Sequence, residues 1–511
     1  MALVEQVEVA TSERRRLALA NPATRESLGE IELQSTEDVR AAVERARKAS
    51  AGWGALPVGE RARFLEYVLR GLVQRKDEVV ETIVAETGKP HTEALALEVL
   101  PACDALQFYA RRARHILADR KPPLHLLKTK KLRIVHRPLG VVGVITPWNF
   151  PFLLALNPCI QALVAGNAVL LKPSEFTPFS AQLLADLFEN TGLPEGVFNV
   201  VQGDAVAGEA LVTAGVDQIS FTGSLATGRL VAEACGRNLV PCTLELGGKD
   251  PMIVCEDADL ERAARGAVFG AFSNAGQVCT STERVYVEEG IADAFIERVV
   301  AETADLRQGA EGDFEIGAMI RSEQLAVVEA HVQDAVVRGA RILAGGRRNP
   351  DCGPGLFFEP TVLVDVTHDM QVMREETFGP VLPIMRVRDI SEALQLANAS
   401  HYGLNANVWT KNRQRGVEIA RAIDSGCVVV NDCMLTYGVT ESPFGGVKQS
   451  GIGRVNGELG LKSFCSVQSI LVDRLGSRRE PFWFPYGARK SKLLKRVIGA
   501  LWGGSLGRWI S

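Results

Sequence analysis

Apolar positions early in the chain recur at helical spacing. Val39, Ala42, Val43 and Ala46 are separated by charged residues and preceded by Ser35 and Thr36, which predicts a helix capped at Ser35 or Thr36. The same periodicity predicts three further amphipathic helices over 58–75, 77–87 and 92–116. Residues 1–34 read as an irregular arm that becomes extended near Gly29–Leu33. Lys121-Pro-Pro123 interrupts the helical pattern, and residues 129–137 then alternate basic and apolar side chains, as a strand with one wet face does.

From Val141 the pattern changes. Short apolar runs at Val141–Thr146, Ala168–Lys172, Phe198–Val201, Ile219–Thr222 and Thr243–Leu246 alternate with helical stretches over 153–165, 178–190, 204–214 and 226–235. Strict alternation predicts an α/β fold: a parallel sheet covered on both faces, with ligands at the carboxyl ends of its strands. A second α/β series follows, with strands near 252–255, 284–287, 341–344, 381–387, 406–409 and 427–431. Ser442–Gly453 is glycine-rich and reads as a loop packed by close backbone approach, and Phe464–Leu471 as a returning strand.

Composition narrows the function. With 511 residues, 46% hydrophobic and 23% charged, the chain has room for two or three ordinary globular domains. A net charge of −4 gives no general attraction to nucleic acid. The ten cysteines include no C-x-x-C pair, and the seven histidines lack metal-site spacing, so no metal is expected. Unpatterned cysteines and a first stretch with Glu5, Glu8 and Glu13 instead of an apolar core point to the cytoplasm.

The candidate chemistry centres on Phe272–Thr282, where Cys279 lies among small and polar residues that leave room for a substrate carbon to reach its sulfur. Two other stretches belong with it: Thr146-Pro-Trp-Asn-Phe-Pro151 and Leu244-Glu-Leu-Gly-Gly-Lys249. Together with Gly276-Gln-Val-Cys279 they resemble the aldehyde dehydrogenase superfamily, and the resemblance runs from about Asn21 to about Gln468. It implies a Rossmann-like NAD-binding domain (1–120 and 141–247), an α/β catalytic domain (248–445) and a small β-strand oligomerisation arm (121–140 and 446–473), leaving 474–511 as a tail. The arm implies a homodimer or homotetramer.

Within that resemblance Cys279 is the nucleophile, and the Asn149 amide and the Cys279 backbone N–H stabilise the oxyanion formed by its attack. Glu245, between Leu244 and Leu246, is the candidate base for hydrolysis of the thioester. Alternative readings are a turn residue for Asn149 and an ion pair with Lys249 for Glu245. Members of the superfamily that pass the acyl group to coenzyme A generally lack this glutamate, so the product is expected to be the free acid. Gly223 and Ser224, at a strand end and a helix start, would meet a pyrophosphate. Lys172 and Glu175, with Ser174 between, match positions that hold the adenosine ribose. A carboxylate there repels a 2′-phosphate, which favours NAD and leaves NADP the weaker alternative. Glu376 and Phe378 match the family element at the nicotinamide ribose and ring, and Thr146, Pro147, Trp148, Leu246 and Gly247 complete the cofactor site by the same resemblance.

Phe152, Leu153, Leu154 and Leu156 would line or back a tunnel, and no arginine or lysine lies beside 150–154 or 278–280 to bind a second carboxylate. The expected substrate is an apolar aldehyde, long aliphatic (fatty) or aromatic. The alternatives are a semialdehyde dehydrogenase and a non-catalytic nucleotide-binding structural protein. In the tail, Arg489, Lys490, Lys492, Lys495 and Arg496 interleave with Leu493, Leu494, Val497, Ile498, Leu501 and Trp502. This predicts an amphipathic helix over 488–502 with its cations on one face, too short to span a bilayer. It is expected to make peripheral membrane contact or to cover a tunnel as a lid.

Overall fold

A computed structural model describes residues 15–503. Residues 1–14 and 504–511, assigned above to the N-terminal arm and to the end of the basic tail, lie outside the described residues. Two compact units are present. One holds the described residues up to Ile116 together with Pro138–Phe464, and the other holds Leu117–Arg137 and the described residues from Cys465 onward. Residues 446–464 therefore fold within the larger unit, and the returning strand begins at Cys465.

The larger unit is built on two α/β sheets. In the six-stranded sheet the order is Gly451–Ile452, Cys242–Glu245, Gln218–Thr222, Val141–Ile145, Ala168–Lys172 and Phe198–Val200. All pairs are parallel except that of Gly451–Ile452 with Cys242–Glu245. Every residue of Val141–Ile145 and of Ala168–Lys172 is buried, because helices cover both faces. Helix Leu153–Ala165 is likewise buried along its whole length. Helix Thr36–Ala55 begins at Ser35 with a capping box to Asp38, as the sequence predicts. The seven-stranded sheet runs Arg341–Ala344, Thr361–Val364, Val381–Val387, Thr282–Glu288, Asp250–Val254, Asn405–Trp409 and Cys427–Val430, parallel except at its first pair.

Three features differ from expectation. The helix predicted over 92–116 is interrupted by a π-helical turn at Leu95–Val99. Arg16–Ala20 forms a strand paired with Ser27–Glu32, so the arm is a hairpin over these residues. Thr361–Val364, only four residues long, adds a strand that the sequence does not announce.

Strand Lys130–Pro138, in the smaller unit up to Arg137, pairs with Cys465–Asp473 as a two-stranded ribbon. Arg474 lies opposite Thr129 and Ser466 opposite Arg137, so the strands are antiparallel. The ribbon leads into helix Ala488–Trp502.

Candidate active site

Strand ends of the larger unit open onto a cleft of about 1040 Å³. All fifteen site residues named from sequence line it: Cys279, Glu245 and Asn149, with Thr146, Pro147, Trp148, Lys172, Ser174, Glu175, Gly223, Ser224, Leu246, Gly247, Glu376 and Phe378. Four parallel strands deliver most of them, since Thr146, Lys172, Gly223 and Leu246 stand at or just beyond the carboxyl ends of their strands.

Cys279 follows an unusual turn. Asn274, Ala275 and Gly276 adopt φ of 51°, 53° and 72° in succession, three consecutive left-handed residues. Only glycine fits the third position, because a Cβ there would lie 2.1 Å from the Gly379 carbonyl oxygen. The turn is held from several sides. The Asn274 backbone N–H donates to both Glu93 carboxylate oxygens (2.9 and 3.0 Å), and its side-chain amide donates to the Asn149 carbonyl (3.0 Å). The Gln277 side chain bridges the Asn274 carbonyl and the Ile320 N–H. Cys279 is partly exposed to the cleft; desolvation raises its thiol above the usual range, with the neighbouring carboxyl groups of Asp250, Glu376 and Glu245 pushing the same way against a hydrogen bond from its own backbone N–H.

Asn149 is buried. Its amide donates one N–H to the Gln277 carbonyl (2.9 Å), which leaves the second N–H and an unpartnered Oδ1. Its backbone carbonyl accepts from Lys89 Nζ at 2.8 Å, and the same ammonium pairs with Glu98 at 2.8 Å and lies 4.1 Å from the centre of the Phe150 ring. Glu98 also accepts from the N–H groups of Phe152 and Leu153 at the start of helix Leu153–Ala165. One fully buried ion pair thus fixes the Asn149 loop and the following helix.

Glu245 is buried with neither carboxylate oxygen partnered, so burial raises its pKa well above the carboxylate range, while Arg454 opposes. The ion pair with Lys249 is not formed. Lys249 bonds Glu283 and Thr377 instead, and Glu283 in turn accepts from the N–H groups of Thr377 and Phe378. That second buried pair holds the Glu376–Phe378 segment, where Glu376 accepts from Gly248 N–H at 3.0 Å. Burial, reinforced by Glu283, raises the Glu376 carboxyl. Its oxygens approach Gly247 so closely that a Cβ there would meet them at 2.3 Å.

The cleft has two ends of different character. Toward Lys172 and Glu175, which pair at 3.2 Å, its lining includes the N-terminus of helix Leu225–Asn238, capped by Ser224. Thr146 Oγ1 is buried and unpartnered, and Phe221, Val212 and Leu230 add apolar wall. Unclaimed backbone donors at a helix start, an orphan hydroxyl and a flat apolar wall fit a dinucleotide. Trp148 and Phe378 meet edge to face, 5.4 Å apart. Arg321, which sequence reading missed, also lines the cleft and lies 4.2 Å over the Phe176 ring. At the Cys279 end Phe150, Leu154 and Val278 pack with Leu97, Met434 and Tyr437. Of the four expected tunnel residues only Leu154 lines the cleft; Phe152, Leu153 and Leu156 are buried outside that lining.

Cys279, Asn149 and Glu245 share one cleft with the start of helix Leu225–Asn238, an arrangement that an oxidoreductase of the aldehyde dehydrogenase class would require. The profile of the aldehyde dehydrogenase family matches residues 9–470, and the chain belongs to that family. It is 40% identical over 489 residues to 4,4'-diapolycopene aldehyde oxidase of Methylomonas sp, covering 95% of this chain and 91% of that protein. It is 41% identical over 456 residues to a Mycolicibacterium smegmatis protein provisionally named a succinate-semialdehyde dehydrogenase [NADP(+)], covering 88% of each. Among solved structures, the Mycobacterium tuberculosis aldehyde dehydrogenase complexed with NAD+ superposes with a TM-score of 0.86 at 35% identity, over 91% of this chain and 96% of that one. An E. coli NADP-dependent enzyme gives the same score and identity over 90% and 95%.

Proposed function

We propose that the protein oxidises an apolar aldehyde, long aliphatic or aromatic, to its carboxylic acid with NAD. The observation that carries this reading is the uncharged lining of Leu154, Leu404, Tyr437 and Phe444 at the Cys279 end of the cleft, backed by Phe150, Val278, Leu97 and Met434. A second carboxylate, as a semialdehyde substrate would bring, finds no cation among these lining residues, and the nearby Lys89 ammonium is already paired with Glu98. The Methylomonas relative, named for an aldehyde of diapolycopene, supports the apolar reading, and the Mycolicibacterium relative supports the semialdehyde alternative.

The Cys279 thiol gives its proton to solvent and the thiolate attacks the carbonyl carbon; the C=O π pair moves to oxygen, and the resulting oxyanion accepts from the free Asn149 amide N–H and the Cys279 backbone N–H. Bound NAD supplies the hydride acceptor. Lys172 and Glu175 would hold its adenosine ribose, Gly223 and Ser224 its pyrophosphate, and Glu376, Phe378 and Trp148 its nicotinamide end. Thr146, Pro147, Ser174, Leu246 and Gly247 would form the walls between. Glu245 then takes a proton from the water that cleaves the Cys279 thioester, so the free acid is released and no acyl acceptor is needed. The exposed ribbon of the smaller unit, marginal as a two-stranded element alone, supports pairing with another subunit in a homodimer or homotetramer. The cytoplasm is the proposed location, with the amphipathic helix Ala488–Trp502 as the element that would bring the enzyme to a membrane.

Steady-state kinetics over C2 to C18 aldehydes and succinic semialdehyde, each with NAD and NADP, test the reading. The expected result is a kcat/KM that rises with chain length and is higher with NAD. A preference for succinic semialdehyde would overturn it.

A further inference from the structure

From Pro481 onward the chain carries six basic side chains and no acidic one, although its overall charge is −4. The base of this segment is anchored. Lys130 on the ribbon bonds Asp473 at 2.7 Å and Glu480 at 2.5 Å, and Trp483 N–H donates to the Glu480 carbonyl. Beyond this anchor Phe482, Trp483, Phe484 and Tyr486 are each more than half exposed, and helix Ala488–Trp502 has no buried side chain.

At about 100° per residue, Leu493, Leu494, Val497, Ile498, Leu501 and Trp502 occupy one half of this helix, and Arg489, Lys492, Lys495 and Arg496 the other. Lys490 falls within the apolar half, which corrects the expectation of five cations on one face. Its ammonium turns back to the Trp483 and Pro485 carbonyls and lies 5.6 Å from the centre of the Tyr486 ring. The rest of the apolar half is thus uncharged, yet Leu493, Ile498 and Trp502 are more than half exposed. A fifteen-residue helix is marginal in water without a surface to pack on.

We infer that residues 481–502 form a docking element for an anionic lipid bilayer. Among the described residues no helix is long and apolar enough to cross a membrane. The helix instead lies in the interface, its apolar half among the upper acyl chains and its cationic half among anionic headgroups. Trp483, Tyr486 and Trp502 suit headgroup depth, where an amphipathic ring has one side apolar and one side wet. A second copy of the helix would bring like charge to like charge, whereas an anionic headgroup layer supplies the opposite sign. The inference extends the reading of an apolar substrate without depending on it, since none of these residues lines the cleft.

The test is co-sedimentation of the intact enzyme with phosphatidylcholine vesicles, with and without phosphatidylserine. We expect binding to the phosphatidylserine vesicles that weakens at least about tenfold from low to high salt, because the headgroup attraction is screened. The variants Ile498→Asp and Lys492→Glu/Lys495→Glu should each lose at least about tenfold in affinity while their thermal unfolding matches that of the intact enzyme, a control that does not rely on the catalytic reading. Failure of the intact enzyme to sediment with phosphatidylserine vesicles at low salt would overturn the inference. So would unchanged binding by both variants, or a helix deletion that alters only the oligomeric state.

Discussion

The two ends of the cleft are built on opposite principles. The end proposed for the cofactor is local: a few polar residues at the carboxyl ends of adjacent parallel strands, backbone N–H groups at the start of one helix, and an apolar wall of Phe221, Val212 and Leu230. The Cys279 end is assembled from distant parts of the chain, with Leu154, Leu404, Tyr437 and Phe444 converging on one uncharged lining. A dinucleotide presents the same phosphates and riboses to every enzyme that binds it, so fixed donors at strand ends serve it. The proposed apolar aldehyde would offer only shape and apolar area, which side chains from many segments can be adjusted to match. Binding at one end and chemistry at the other should therefore be separable by mutation.

The largest effect expected is at the sulfur. Cys279→Ala should lower kcat by at least about 10⁴-fold, since it removes the proposed nucleophile, while NAD binding followed by fluorescence titration stays unchanged. Joint loss of both would mean that the two ends are not independent.

Next is Glu245→Gln, which should slow steady-state turnover by about 10²–10³-fold, the range expected for loss of a general base, yet retain a burst of about one NADH per subunit. Glu245 works as a base only when deprotonated, and its pKa is raised by burial. Turnover of the parent enzyme should therefore climb with pH through a midpoint above the usual carboxylate value, and the variant's turnover should lack that limb. A variant with neither burst nor turnover would assign Glu245 to activation of the thiol.

The smallest effect sharpens the other end. Glu175→Gln removes a negative charge from the proposed ribose position and should raise the NADP-to-NAD ratio of kcat/KM by several-fold, about 1 kcal/mol. An unchanged ratio would place the 2′-hydroxyl elsewhere.

This division also explains what was legible in the sequence. The strand ends could be read because Val141–Ile145 and Ala168–Lys172 are continuous apolar runs closed by polar residues, and the residues that line the cofactor end are contiguous with them. The buried pairs Lys89–Glu98 and Lys249–Glu283 were not read as pairs: their partners lie 9 and 34 residues apart, and an isolated charge in a helical or strand pattern looks like a solvated one. Leu97 was hidden because it falls in the π-helical turn Leu95–Val99, where a regular 3.6-residue period misplaces the facing side chains. Thr361–Val364 and Arg16–Ala20 are too short to carry a period of their own and owe their conformation to neighbouring strands. The leucines of 153–156 could be read as buried but not as to which face each presents, since helix Leu153–Ala165 is covered on all sides.

The left-handed run Asn274–Gly276 has a mechanical consequence. Its residues are tied to Glu93, Asn149 and Ile320 and pressed against Gly379, so the thiol stands on a stiff bracket and not on a tether. A bracket cannot lean to meet a misplaced carbonyl. In the proposed reaction aim would then rest largely with the aldehyde, whose far end must fit the cleft for its reactive carbon to come within range of sulfur.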